Sequence, residues 1–304
     1  MLLGCANPDP DTLSVDPISE AQLGGNWRCE TSSELWVPRE ILKTWGHTQG
    51  IAVAAENVII SVQVKEIGAI LLKFGRPSGA FLRHRWLGDA KLDHPSDLQI
   101  CENTLAVAVA IPQRHSFSRI YFCEISTLEC VGDSIDFEDH VGALAFGRYR
   151  GGYYLFGGTW DSDRLVLFRS QQRTRDYRFL AATDWRKLVL PESIDTLKYK
   201  YNALHFYPQT RGLPLLYASS GNVLDVWEVQ GLESGALKLK KIYSKKTEGY
   251  IKTGNARLFH EGMDVHPIGN QLFYFAAPHD FNRDSSRADF FRTPHYYTCS
   301  PALD

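Results

Sequence analysis

His47-Thr48-Gln49-Gly50-Ile51-Ala52-Val53, His94-Pro95-Ser96-Asp97-Leu98-Gln99-Ile100 and His140-Val141-Gly142-Ala143-Leu144-Ala145-Phe146 read as three copies of one phrase: a histidine, small or polar residues, then an apolar run. The histidines stand 47 and 46 residues apart, the length of chain that four short antiparallel strands occupy in a propeller repeat. Two looser copies follow, Tyr201-Asn202-Ala203-Leu204-His205-Phe206 and His260-Glu261-Gly262-Met263-Asp264-Val265. A lone four-stranded sheet cannot bury both faces, whereas several packed radially can. Five copies therefore predict an all-β, five-bladed β-propeller. A six-bladed ring is the alternative, because Arg169 to Lys200 is long enough to carry extra strands.

The chain between the copies supports an all-β reading. Runs such as Val58 to Val64, Leu105 to Ile111, Arg119 to Ile125 and Val223 to Val229 are bounded by Gly, Pro, Asn, Asp or Ser, the punctuation of strands and turns. No long stretch places apolar residues at helical spacing. The 7 Trp, 14 Tyr and 16 Phe, set against 2 Met, suit half-buried pleated surfaces. The fifth copy runs out of chain before a fourth strand, and Glu34 to Leu42 is expected to supply it, so that the N-terminal strand closes the ring. Residues 1-26 then form a tether and residues 27-304 a single propeller domain.

Lys and Arg number 33 and Asp and Glu 35, a net charge of -2, so no overall basic field exists to hold nucleic acid. The lysines around Lys238 to Lys246 read as a solvated edge strand. Leu2-Leu3-Gly4-Cys5 has the form of a lipobox, and a polar, Pro- and Asp-rich stretch follows it. That pattern suggests a monomer that is periplasmic, secreted or anchored to the envelope through a lipid on Cys5; a cytoplasmic protein is the alternative. Cys123 and Cys130 flank an expected turn at Ser126-Thr127 and are placed for a cross-strand disulfide. Cys29 and Cys299 are placed for a second that would clasp the ring, leaving Cys101 free.

In a propeller the first strand of each blade lines the axis, so residues at matching positions converge at one mouth. His47, His94, His140 and His260 are the candidate ligands of a divalent metal or a small polar ligand there, with Gln49, Asn202 and Glu261 at the rim. Trp160 and Asp161, in Gly157-Gly158-Thr159-Trp160-Asp161-Ser162-Asp163-Arg164, are candidates for a ligand wall, although the same segment reads more readily as a turn with Trp160 packed between blades. Repetition of histidine at several blades is also what a structural role predicts. No HExxH, paired CxxC, GxSxG or phosphate-binding glycine loop is present.

The order His47-Thr48-Gln49-Gly50, His94-Pro95, Asp139-His140-Val141-Gly142-Ala143 and Gly158-Thr159-Trp160-Asp161-Ser162 resembles an uncharacterised family of bacterial, secreted propeller-like proteins, over roughly Trp45 to Trp227. The chain departs from it at Ser96-Asp97, where two glycines are usual. The resemblance implies the fold and an exported location, and it brings no activity. Function is expected from the mouth itself: capture of a small polar ligand or metal, with hydrolase or lyase chemistry by the same histidines as one alternative and a protein-interaction scaffold as another.

Overall fold

The computed structural model describes residues 27–31, 35, 37–38, 46–76, 78–190, 200–209, 212–220, 223–246, 262–268, 271–277 and 297–301. Cys5, His260, Glu261 and all of the expected tether lie outside these. Among the described residues the strands form five four-stranded antiparallel sheets. The first holds β2 (Gly46–Val53), β3 (Asn57–Val64), β4 (Gly68–Gly75) and β5 (Phe81–Leu87). The second holds β6 (His94–Cys101), β7 (Thr104–Ala110), β8 (Ser118–Glu124) and β9 (Ile135–Phe137). The third holds β10 (Val141–Tyr149), β11 (Gly152–Thr159), β12 (Arg164–Ser170) and β13 (Arg178–Asp184). The fourth holds β14 (Ala203–Tyr207), β15 (Leu215–Ser220), β16 (Val223–Gln230) and β17 (Lys238–Lys246).

The fifth sheet runs β18 (Gly262–Ile268), β19 (Gln271–Ala277), β20 (Tyr297–Pro301) and then β1 (Trp27–Thr31). The first strand of each sheet lies against the first strand of the next, and β18 returns to β2. Each repeated phrase thus opens, or immediately precedes, an inner strand. The stretch Arg169 to Lys200 that suggested a sixth blade supplies β13 and one helical turn, Trp185–Leu188, among its described residues.

The N-terminus does close the last sheet, but with Trp27–Thr31 rather than Glu34 to Leu42; Cys29 lies opposite Cys299 in that register. Leu35 and Val37 are instead buried with Ile51, Val53, Val58 and Phe275, filling the seam between the fifth and first sheets. Apolar residues in a linker look like strand residues whenever they pack, and Pro38, which has no N–H to donate, argued against a paired strand there.

Burial falls from the axis outward. All seven residues of β7, Thr-Leu-Ala-Val-Ala-Val-Ala, are buried, because neighbouring blades cover both faces of a second strand. The outermost β5 and β13 are largely exposed or half-buried. The apolar clusters lie in the seams, for example Ala106, Ile120 and Phe122 of the second sheet with Leu144, Phe146 and Leu155 of the third. At about 25 cal/mol per Å² of apolar surface removed from water, these seams supply most of the driving force.

Candidate functional site at the leading end of the inner strands

An inner strand is also a sheet edge, so half of its backbone donors and acceptors have no strand partner. Polar side chains, several of them from other blades, satisfy them. Gln99 Oε1 accepts from the backbone N–H of Phe146 (2.8 Å) and of Phe206 (2.9 Å), and its Nε2 donates to Phe206 O (2.7 Å), joining three blades. Asp264 Oδ2 accepts from Val53 N at 2.6 Å, and Asp97 Oδ1 from Leu98 N at 2.9 Å. His205 Nδ1 lies 3.0 Å from Asp264 Oδ1, and His266 Nε2 sits 2.8 Å from Asp264 Oδ2.

These environments split the two axial carboxylates. Burial, the neighbouring Asp264 charge adding to it, pushes Asp97 well above the usual carboxylate range. Burial works against the Asp264 carboxylate as well, but His266 and His205 more than offset it and hold that group well below the range. Both residues are essentially inaccessible, at 0% and 1% exposure. The middle of the axis is therefore a filled polar network, and groups that could meet a ligand lie at its leading end.

There the structure brings together residues far apart in sequence. The His94 and His140 rings lie 5.0 Å apart, His140 meets Trp160 edge-on at 4.5 Å, and His94 lies 6.4 Å from Trp160. His47, half-buried on β2, is near enough that its charge opposes protonation of His94. Desolvation first, then repulsion from His140 and His47, pushes the His94 pKa down to about 3. Its Nδ1 is buried without a hydrogen-bond partner.

His140 is fixed more firmly. Its Nδ1 lies 2.8 Å from Ile111 O, so Nδ1 carries the proton and Nε2 is left as the acceptor. Burial lowers its pKa, although Ile111, Gln113 and Asp139 favour the charged form. The backbone behind the ring is tied by Asp139, whose Oδ1 accepts from His140 N at 2.8 Å, and by Ser118 Oγ, which donates to Asp139 O and accepts from Val141 N. Asp139 Oδ2 also pairs with Arg164, and His115 Nδ1 stands 3.6 Å from Oδ1.

A register break follows the leading residue in three blades, between Thr48 and Gly50, Pro95 and Leu98, and Val141 and Ala143. Bulges of this kind re-aim side chains. Gln49 falls inside the first of them and is buried. Asn202 occupies the matching place before β14, half-buried, its N–H donating to Ser219 O at 2.8 Å. Trp160 and Asp161 lie in the one-turn 3-10 segment Trp160–Ser162, which Ser162 Oγ ties to Tyr201 O of the fourth blade. The turn reading of that segment holds, and Trp160 also faces the histidines. Arg164, His115 and the loop from Ile111 to Phe117 were not singled out from sequence; the guanidinium in the Trp160 segment was the one available signal.

The architecture is shared with solved enzymes. A GH62 alpha-L-arabinofuranosidase catalytic domain from Coprinopsis cinerea superposes with TM-score 0.54 at 10% identity, covering 90% of this chain and 96% of that one. A GH62 hydrolase in complex with xylotriose gives TM-score 0.54 at 10% identity, with 93% and 100% covered. The GH32 beta-fructofuranosidase BmSUC1 of Bombyx mori, as a mutant with sucrose, gives 0.52 at 8%, with 88% and 61% covered. At these identities the likeness is one of fold. No protein-family model matches the chain, and no curated protein matches it in sequence.

One expectation changes. A noncatalytic mouth that captures a small polar ligand or a metal is overturned as the leading reading by neighbours that are glycoside hydrolases. As for His47, His94 and His140 as metal ligands, no group of three or more His, Cys, Asp or Glu among the described residues is placed to hold a metal ion. His94 and His140 meet each other and Trp160 through their faces and edges, and one His140 nitrogen is committed to Ile111 O.

Proposed function

We propose that the protein is a hydrolase acting on a carbohydrate at the mouth formed by His47, His94, His140 and Trp160. The observation that carries this reading is the state of His140: Nδ1–H bonded to Ile111 O, Nε2 left unprotonated as an acceptor, and the ring edge-on to a half-buried indole. An indole face is a natural platform for the C–H surface of a sugar ring. The two axial carboxylates are bonded to inner-edge backbone, whereas His140, itself buried, keeps one nitrogen as an acceptor and borders the half-buried His94 and Trp160, so an imidazole is taken as the proton-transfer group.

In the proposed reaction a water loses a proton to His140 Nε2 and attacks the anomeric carbon. The bond to the departing oxygen breaks as that oxygen takes a proton from solvent, and the imidazolium then returns its proton to water. Arg164 pairs with Asp139, whose other oxygen accepts from His140 N, and through it steadies the backbone behind the ring. The shared architecture with an arabinofuranosidase and a fructofuranosidase supports furanosides as the first substrates to try.

The test is a panel of 4-nitrophenyl glycosides, α-L-arabinofuranoside first, together with sucrose and xylo-oligosaccharides. Hydrolysis of at least one member is expected, reduced by about 10²-fold or more in His140→Gln at an unchanged unfolding midpoint. Trp160→Ala is expected to raise KM more than it lowers kcat. No turnover across the panel, or full activity in His140→Gln, defeats the proposal.

A further inference from the structure

Away from the mouth, the end of the β8 hairpin holds two thiols in an arrangement that the hydrolase reading does not use. Glu124 N donates to Glu129 O at 2.9 Å and Val131 N to Phe122 O at 2.7 Å. These two bonds flank Cys123 and Cys130, which face each other as an antiparallel bridge. The pair between them is a non-hydrogen-bonded one, the site in an antiparallel ladder where opposite Cα atoms come closest, about 4.5 Å. That separation is within the range a disulfide spans. The two Sγ atoms lie 2.8 Å apart, and both residues are free cysteines. The disulfide expected from sequence is therefore not formed, although the facing pair is the one expected. The turn also differs from the expected two-residue form: Leu128 N closes back on Glu124 O at 2.7 Å, with Leu128 at φ 58°.

The two thiols are not equivalent. Cys123 is fully buried and Cys130 is exposed, so a reagent from solvent meets Cys130 first. Arg85, whose guanidinium bonds Glu129 at 2.9 Å, adds positive charge at this end. The hydrogen bond from Cys123 and the Arg85 charge favour a thiolate at Cys130, and the same bond and burial push the Cys123 thiol up. Cys101 is buried elsewhere in the second blade, its thiol pushed up to about 12 by desolvation.

We propose that Cys123 and Cys130 form a reversible thiol–disulfide site in which Cys130 is the attacking sulfur and Cys123 the resolving one, with a small disulfide such as oxidised glutathione as the oxidant. Cys130 thiolate attacks one sulfur of the oxidant, forming a mixed disulfide and releasing one glutathione thiolate. Cys123 then loses its proton and attacks Cys130 Sγ, forming the protein disulfide and releasing the second thiolate. Two electrons pass from the protein sulfurs to the oxidant. The backbone need not move for this, because the facing Cα pair is already set by the ladder. The bond would also close a hairpin whose loop carbonyls are gripped by the first blade: Lys73 Nζ donates to Ile125 O (2.7 Å) and Ser126 O (3.1 Å), and Arg83 to Thr127 O (2.8 Å). The site thus sits where the second blade is fastened to the first.

The experiment treats the reduced full-length protein with oxidised glutathione under native conditions, quenches it in acid, alkylates free thiols and maps the peptides. The expected product is a Cys123–Cys130 linkage that dithiothreitol reverses. Cys123→Ala should instead hold glutathione on Cys130, and Cys130→Ser should form neither product at this site. Retention of two alkylatable thiols at 123 and 130 in folded wild-type protein overturns the proposal. So does first capture of glutathione on Cys123, or pairing of Cys130 with any other cysteine. The wild-type map decides the matter even if Cys123→Ala fails to fold.

Discussion

Gln99→Met isolates the role of the axial amide, because methionine nearly preserves its volume and length while removing every hydrogen bond. The wild-type amide satisfies the N–H groups of Phe146 and Phe206 and the carbonyl of Phe206, at 2.7 to 2.9 Å. All lie on inner edges, where no strand can replace Gln99. A buried polar group left without a partner costs about 1–3 kcal/mol, so three orphaned groups cost about 3–9 kcal/mol if nothing relaxes. Some relaxation is expected along sheet edges, which puts the loss near about 3–5 kcal/mol. Against a total stability of about 5–15 kcal/mol that is a large fraction. Urea unfolding followed by tryptophan fluorescence measures it, and the transition should move to lower urea with the slope preserved. A loss under about 1 kcal/mol, the worth of one ordinary hydrogen bond, would refute the view that Gln99 supplies what these edges lack.

Stability should fall on the acid side. His94, His140 and His205 all have pKa values lowered by burial, so their contribution is complete above about 6.5 and is lost as pH drops, for His94 through to about 3. His266, whose pKa is raised by Asp264, acts in the opposite sense: its contribution is present below about 6.5 and is lost as pH rises through its folded value. Urea midpoints between pH 7.5 and 4.5 should therefore drop less in His94→Gln than in wild type; equal slopes would contradict the assignment. Gly147→Ala would put a Cβ 2.6 Å from Phe206 Cδ1, and that ring already packs on Phe156 with centroids 5.1 Å apart. Its cost should be about 1–3 kcal/mol in the same assay. Arg164→Met strands the buried Asp139 carboxylate and should destabilise more than Asp139→Asn, which keeps an acceptor for His140 N; the reverse order would show that Arg164 is not the partner that matters.

Local pattern was enough to recover the architecture. Recurrence of a histidine followed by a short apolar run set the blade length, and turn residues marked the strands, because propeller sheets pair sequential strands and carry their burial pattern locally. The Cys123 and Cys130 register was legible for the same reason, since a hairpin is a local structure. The closing strand was not: Leu35 and Val37 have the apolarity of a strand, and only their place in the seam between the fifth and first sheets distinguishes filling from pairing.

The site divides along the same line. His47, His94 and His140 stood out through repetition, and Trp160 through its neighbours, yet nothing local says that Trp160 meets His140 or that the His94 and His140 rings pack against each other. Arg164 reaches Asp139 from 25 residues away, and Gln99 reaches Phe206 from 107. Asp97, Gln99 and Asp264 are in sequence only polar residues set among apolar ones, and the ring spends them on the backbone of its own inner edges. Those edges exist only once the sheets face one another, so the demand that fixes these side chains is created by the tertiary structure. The repeat determined which strands would line the axis; closure of the ring decided which polar groups its inner edges would consume.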